Sequence, residues 1–250
     1  FKKLRSIFQD NNIDTVINFA AETHVDNSIV NSKKFINTNI VGTHNLLNCC
    51  LNNWNLKKKN NVFIQISTDE VYGSLTVKDK SVNEKANYDP KNPYAASKAS
   101  ADLLIKSFSN TYKLNYIITR SCNNFGPKQN VEKFIPKLIN NSLLAKKIPI
   151  YGNGQNKRQW IHVRDNCNAI FKILEGNIIN SEFNISSNTE YKNIDLANII
   201  CERIDNILIN RSNLKLIYPK ALIYNKKKSK KLIDFVDDRK GHDFRYSINS

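Results

Sequence analysis

Glycine is scarce in this 250-residue chain: there are seven, and none is arranged as G-x-G-x-x-G. That spacing lets a backbone wrap a pyrophosphate at a helix amino terminus, so this sequence carries no glycine-rich phosphate loop. Four histidines show no H-x-x-x-H pair, and the five cysteines (Cys49, Cys50, Cys122, Cys167, Cys201) are odd in number and form no C-x-x-C. These absences speak against a metal site or a disulfide framework and for reduced thiols. No apolar run approaches the roughly 20 residues that a bilayer-spanning helix needs. The opening FKKLRSIFQDNN lacks a signal-peptide hydrophobic region. The expectation is a cytoplasmic protein with no membrane partner.

Acidic residues are few, 22 against 38 Lys and Arg, for a formal net charge of +16. Such a balance invites a nucleic-acid reading, but no helix-turn-helix, zinc-finger or RRM pattern accompanies it. Asn, Lys and Ile are jointly over-represented, with Asn at roughly one residue in six. The charge therefore reads as compositional bias, with KKK (57–59) and KKKSKK (226–231) as solvated loops. A basic pocket for a diphosphate ligand fits equally well, and no nucleic-acid partner is expected.

What is present is a rhythm of alternating elements. TVINFA (15–20), NVFIQIS (61–67) and NYIITRS (115–121) read as strands. SKKFINTNIVGTHNLLNCCLNN (32–53) has apolar residues at helical spacing, and NPYAASKASADLLIKSFSNTY (92–112) is a helix opened by Asn92 and Pro93. Continuous apolar strands alternating with helices predict an α/β fold: a parallel sheet covered on both faces. After NNFGP (123–127) the pattern changes to a helix with Pro136 early in it, a turn at Gly152–Gly154, a helix from about Asp165 and a strand at EFNISS.

The chemistry concentrates at ISTDEVYG (66–73). Open α/β sheets bind ligands beyond the carboxyl ends of their strands, which puts Thr68, Asp69 and Glu70 at the ligand edge. Adjacent carboxylates crowd each other, so one is pushed toward its neutral form and the pair can serve as one acid and one base. Tyr94 and Lys98 stand four apart on one helical face. A neighbouring ammonium is expected to favour the phenolate.

The blocks FAAETHVDNSI, ISTDEVYG, NPYAASKASADLL, TRSCNNFGP, EKFIPKLI, PIYGNGQNKRQWIHVRDNC, FNIS and DDRKGHDFRYSI resemble, in order, the nucleotide-sugar 4,6-dehydratases of the extended short-chain dehydrogenase/reductase group. The dTDP-glucose branch is the nearer likeness and the UDP-glucose branch a close one. Relatives that only epimerise or reduce sugars usually carry small residues at positions 69 and 70. The resemblance implies an NAD-binding Rossmann domain in residues 1–125, here lacking its first βαβ unit. A smaller α/β substrate domain would follow in 126–250, with about 160–186 packing back on the first sheet. It implies Thr68, Asp69, Glu70, Tyr94 and Lys98 as the catalytic set, and NAD contacts from Ala20, Ala21, Glu22, Thr38, Tyr94, Lys98 and Asn124. Substrate contacts would come from Thr23, Asn123, Lys133, Phe134, Pro149, Ile150, Tyr151, Arg158, Asn184, Asp238, Arg239, Lys240, Gly241 and His242, with Arg158 on the diphosphate. It also implies a homodimer, in which SKASADLLIKSF could supply an interface helix, and a place in rhamnose synthesis.

The chain departs from that family in lacking the amino-terminal glycine-rich loop, the acidic ribose-binding residue and the last helical segment. Lys240 also stands where relatives often have Pro. A truncated sequence of a working enzyme is the expectation. A related NAD-dependent epimerase or reductase, and a catalytically inactive binding subunit, are the alternatives.

Overall fold

The computed structural model describes residues 2–56 and 61–250; the KKK run expected to be a solvated loop lies outside them. The first half gives helix α1 (Lys2–Asp10), strand β1 (Thr15–Asn18) and helix α2 (Val25–Val30). Helix α3 (Ser32–Phe35) then continues through a π-turn (Ile36–Val41) into α4 (Gly42–Asn53). Strand β2 (Val62–Thr68), a one-turn helix (Asp69–Tyr72), helix α5 (Pro93–Tyr112) and strands β3 (Tyr116–Ser121) and β4 (Asn123–Phe125) follow. The second half has α6 (Phe134–Leu143), β5 (Ile148–Tyr151), β6 (Lys157–His162), α7 (Val163–Glu175), β7 (Ser181–Ile185) and β8 (Glu190–Lys192). Helices α8 (Asn193–Asn210) and α9 (Leu214–Ile217) and strand β9 (Ile233–Val236) complete it.

A four-stranded sheet runs in the order β1-β2-β3-β7, parallel throughout. Its two central strands, β2 and β3, bury both faces, as a parallel sheet requires. Phe63 and Ile118 pack with Leu47 of α4 and Ile105 and Phe108 of α5. On the opposite face Ile64 and Ile117 meet Ile173 and Leu174 of α7. Residues 181–185 thus pair with the first sheet although they follow the second cluster of elements in sequence. That cluster is built from the pair β5-β9, which packs its inward Ile148 and Ile150 against Leu138 of α6 and Ala197 and Cys201 of α8. Strands β4, β6 and β8 form a small third sheet. Among the described residues no helix is long and apolar enough to cross a membrane.

Two departures from the helical pattern are local. The helix expected over 32–53 passes through a π-turn in which the Gly42 amide reaches back five residues to the Asn37 carbonyl, with the Thr43 hydroxyl donating to the Asn39 carbonyl at 2.7 Å. Pro136 is tolerated because it is the third residue of α6, where no ladder donor is required of it. Buried charge concentrates at Arg120, fully buried in β3. It is held by Asp102 (3.2 Å), Glu182 (2.5 Å) and the hydroxyls of Tyr72 (2.9 Å) and Tyr88.

Candidate active site

Strand β2 delivers Thr68 to the carboxyl edge of the sheet. Its hydroxyl accepts from the Glu70 amide at 3.3 Å, capping the one-turn helix, and donates to Asp69 Oδ1 at 3.2 Å. Asp69 is 3% exposed. Burial, then the charge of Glu70, pushes its carboxyl up to about 7, against the opposing pull of Arg158 and the Thr68 hydrogen bond. Glu70 has a different setting: its Oε2 accepts from Asn92 Nδ2 and from the Tyr246 hydroxyl, each at 3.2 Å. Two adjacent carboxyl groups therefore occupy unlike surroundings, one dry and neutral-leaning, one held by two donors.

Helix α5 brings the second pair. Asn92 caps it by accepting from the Ala95 amide at 2.9 Å, and Pro93 takes the first position. Tyr94 and Lys98 are both buried on its inner face. Lys98 Nζ donates to the Ile66 carbonyl at 2.6 Å, and burial pushes the ammonium down to about 8 while Asp102 opposes. The expectation that Lys98 would favour the Tyr94 phenolate needs correcting. Burial and the Glu70 charge push the phenol up, a Thr68 hydrogen bond being the opposing influence. Lys98 has turned its charge toward a backbone carbonyl instead.

These groups face one cleft with two connecting lobes, which share Thr23, Glu70, Asn123, Lys133, Phe134 and Trp160. The inner lobe, about 310 Å³, is lined by Thr68, Asp69, Glu70, Tyr94 and Lys98 together with Ala21 and Asn124. Two buried side-chain carbonyls in it, Asn124 Oδ1 and Gln129 Oε1, have no hydrogen-bond partner. Unpaired buried acceptors are costly. With the small Ala21 beside them, they suit a ligand presenting amide or hydroxyl donors, as the nicotinamide-ribose end of NAD does. The residues present fit that group.

The outer lobe, about 270 Å³, is lined by Pro149, Tyr151, Arg158, Arg239 and His242. Arg158 is 5% exposed, with its guanidinium 4.4 Å from the Tyr246 ring centre and bonded to the carbonyls of Lys157, Asp243 and Phe244. Carbonyls and an aromatic face orient this cation without neutralising it. Burial accordingly pulls its value down. Arg239 reaches Asp26 at 3.7 Å, and Asp26 also accepts from the Tyr151 hydroxyl at 2.9 Å. His242 sits 2.5 Å from Asp238, yet burial pushes it down to about 4, so the ring is neutral at physiological pH. Lys133, at the start of α6, crosses the cleft to donate to the Thr23 carbonyl and hydroxyl, both at 3.0 Å.

Several expected site residues are not brought into the cleft. Ile150 is 1% exposed in the core between β5, α6 and α8. Asn184 is tied to the Tyr72 hydroxyl and to the carbonyls of Val82 and Asn249. Asp238, Lys240 and Gly241 shape the turn that carries Arg239 and His242 but do not line either lobe. Ala20 is exposed and Thr38 half-buried on the π-turn, neither lining a lobe. The Glu22 carboxylate pairs with Lys34 at 2.8 Å, and its backbone is clipped on both sides by Asn39. Trp160, Gln129, Asn92 and Tyr246 are lining or holding residues that sequence reasoning missed. Trp160 had a signal, since it is two residues from Arg158 on one strand and so shares its face.

A parallel sheet with an acid pair at its carboxyl edge, opposed by a Tyr-x-x-x-Lys helix, defines a short-chain dehydrogenase/reductase-type protein equipped for proton transfer. Comparison with known proteins narrows this. The GDP-mannose 4,6 dehydratase family model matches residues 1–250. A dTDP-glucose 4,6-dehydratase of Haemophilus influenzae is 38% identical over 250 residues, covering 98% of this chain and 71% of that protein. The low-salt glycan biosynthesis protein Agl12 of Haloferax volcanii is 40% identical over 237 residues, covering 95% and 67%. The crystal structure of the Streptomyces venezuelae dTDP-glucose 4,6-dehydratase DesIV, solved with NAD bound, superposes with a TM-score of 0.82 at 34% identity, covering 99% of this chain and 69% of that one. The chain belongs to the nucleotide-sugar 4,6-dehydratase family.

Proposed function

We propose that the chain converts dTDP-glucose, or UDP-glucose, to the 4-keto-6-deoxy sugar nucleotide, with each cleft residue in a distinct role. The observation that carries this reading is the unlike setting of Asp69 and Glu70 in a single lobe with Tyr94 and Lys98. Tyr94 takes the proton of the sugar 4-hydroxyl as its phenolate, and Thr68 hydrogen-bonds the 4-oxygen. The positive charges of Lys98 and of bound NAD would have to favour that phenolate against the burial and the Glu70 charge that push the phenol up. Lys98 supplies the positive charge on that side of the lobe. A 4-ketone acidifies the hydrogen on C5, which Glu70 removes; Asp69, neutral-leaning, protonates the departing 6-hydroxyl so that it leaves as water. Glu70 then returns its proton to C5. Ala21, Asn124, Tyr94 and Lys98 would hold NAD, which when bound supplies the hydride acceptor and donor that oxidise C4 and reduce C6 without net redox change. Arg158, buried and not neutralised, orients the diphosphate in the outer lobe.

The test is incubation with dTDP-glucose and with UDP-glucose, followed by mass and NMR analysis. A 4-keto-6-deoxy product from one of them supports the reading and decides the base. A 4-epimer with the 6-hydroxyl intact would replace it with an epimerase. A homodimer is proposed as well, through the exposed apolar Leu103 of α5 and Ile36 and Val41 of the adjoining turn; sedimentation of the Leu103→Glu variant as a monomer would support that face. The product chemistry fits a place in deoxysugar synthesis, of which rhamnose is one outcome.

A further inference from the structure

Tyr246 lies far along the chain from the catalytic set, yet it touches it. The residue is 2% exposed, and its hydroxyl donates to Glu70 Oε2 at 3.2 Å while also meeting Asp243 Oδ2. Asn92 supplies the second donor to the same Glu70 oxygen. The amide of Asn92 cannot turn away, because its own oxygen is committed to the Ala95 amide as the cap of α5. One carboxylate oxygen of Glu70 is thus fixed by two donors, which leaves the other for the cleft that Glu70 lines.

The ring of Tyr246 is fixed independently of its hydroxyl. The Arg158 guanidinium stacks on it at 4.4 Å, and Arg158 Nη2 donates to the Asp243 carbonyl at 2.8 Å. Asp243 itself is 4% exposed, and its Oδ2 accepts from the same hydroxyl, so the phenol bridges Asp243 and Glu70 and is held from both sides. The arm that faces the anion and the arm that removes a proton meet on a single aromatic ring.

Building on the dehydratase reading above, we infer that Tyr246 is the positioning residue for the general base: it holds Glu70 in the orientation that removes the C5 proton, and it shares its ring with the diphosphate-facing Arg158. The role is specific to the elimination half of the reaction, because Tyr246 lines only the outer lobe and contacts neither Tyr94 nor Lys98 through any hydrogen bond given by the structure.

Tyr246→Phe keeps the ring beneath Arg158 and removes only the hydroxyl. Loss of one hydrogen bond to a charged group predicts a ten- to hundred-fold fall in kcat, roughly, with KM for the nucleotide sugar unchanged within about two-fold. The discriminating readout is exchange of the C5 hydrogen of the 4-keto-6-deoxy product with deuterated water. That exchange requires Glu70 but no hydride transfer, and it should slow by the same factor as kcat. Oxidation of a nucleotide pentose, which has no 6-hydroxyl to lose, should proceed at the wild-type rate as read by absorbance of the reduced cofactor. Asp243→Asn, whose amide can donate to the phenol oxygen, should keep at least about half the exchange rate. Unchanged exchange in Tyr246→Phe, equal slowing of pentose oxidation, or a ten-fold loss of exchange in Asp243→Asn would each overturn the assignment. If the wild-type chain forms no 4-keto-6-deoxy sugar, it is the dehydratase reading that fails.

Discussion

The Asp69→Asn variant should be less active and more stable than the wild type, for one reason. Burial and the Glu70 charge raise the Asp69 carboxyl from 3.8 to about 7. At about 1.4 kcal/mol for each tenfold change in proton affinity, an ionised Asp69 then costs the fold up to about 4 kcal/mol. Below the ordinary carboxylate value, folded and unfolded chains both hold the proton and no penalty exists. Between that value and about 7 the folded chain keeps a proton that the unfolded chain has lost, so stability falls as pH rises. Above about 7 the full penalty stands. Asparagine cannot ionise, so it escapes the penalty at every pH. The new amide must find partners in a dry site, which offsets about half the gain and leaves about 2 kcal/mol. For a chain of this size that corresponds to a melting point roughly 4–8 °C higher at about pH 8, the gap closing toward about pH 5. Calorimetry on both proteins across that range measures it. Removing the acid should slow water loss by about 10²–10⁴ while pentose oxidation persists. An Asp69→Asn protein that is less stable at about pH 8, or whose melting point follows the same pH slope as the wild type, would refute the reasoning.

Turnover should decline on the alkaline side: the proton Asp69 needs is lost as pH rises through about 7, and the Lys98 ammonium, pulled down by burial, is lost through about 8. A kcat profile still flat above about pH 9 would contradict both roles. Arg120→Met should destabilise the chain by about 3–5 kcal/mol in chemical denaturation, because it strands Asp102, which is fully buried, without its cation; a loss under about 1 kcal/mol would show that the network is not a structural keystone. Gly73→Ala should fail to accumulate as folded protein, since Gly73 has a φ of +80° and an added Cβ would lie 2.3 Å from the Asp89 carbonyl oxygen; normal yield and melting point would exclude that clash.

The parallel sheet was legible because β2 and β3 each open on three consecutive apolar residues, VFI and YII, which places apolar side chains on both faces of the strand and so calls for cover on both. The acid pair was legible for a related reason, since polar residues at the end of such a strand can only lie at its ligand edge. Ile150 was misplaced against a rule already available. In the strand IPIY, Pro149 and Tyr151 face the outer lobe, so Ile150 between them must face the core. Asn184 was misplaced because nothing local to FNIS reveals that Tyr72, Val82 and Asn249 will converge on its amide.

The division of labour between Asp69 and Glu70 shows why the remainder was hidden. Adjacency in sequence predicts that two carboxyl groups will differ, but not which becomes the acid. That choice is made by residues brought from elsewhere. Burial beyond the end of β2 dries out Asp69 against the opposing Thr68 hydrogen bond, whereas Asn92, 22 residues on, and Tyr246, 176 residues on, reach the same oxygen of Glu70. The Tyr94–Lys98 pair followed the same logic: four-residue spacing set both on one helical face, and the Ile66 carbonyl, from a different element, took the ammonium. A local pattern therefore identifies which groups react. Their order of proton affinity, on which the direction of the elimination depends, is a property of contacts made only after the chain has folded.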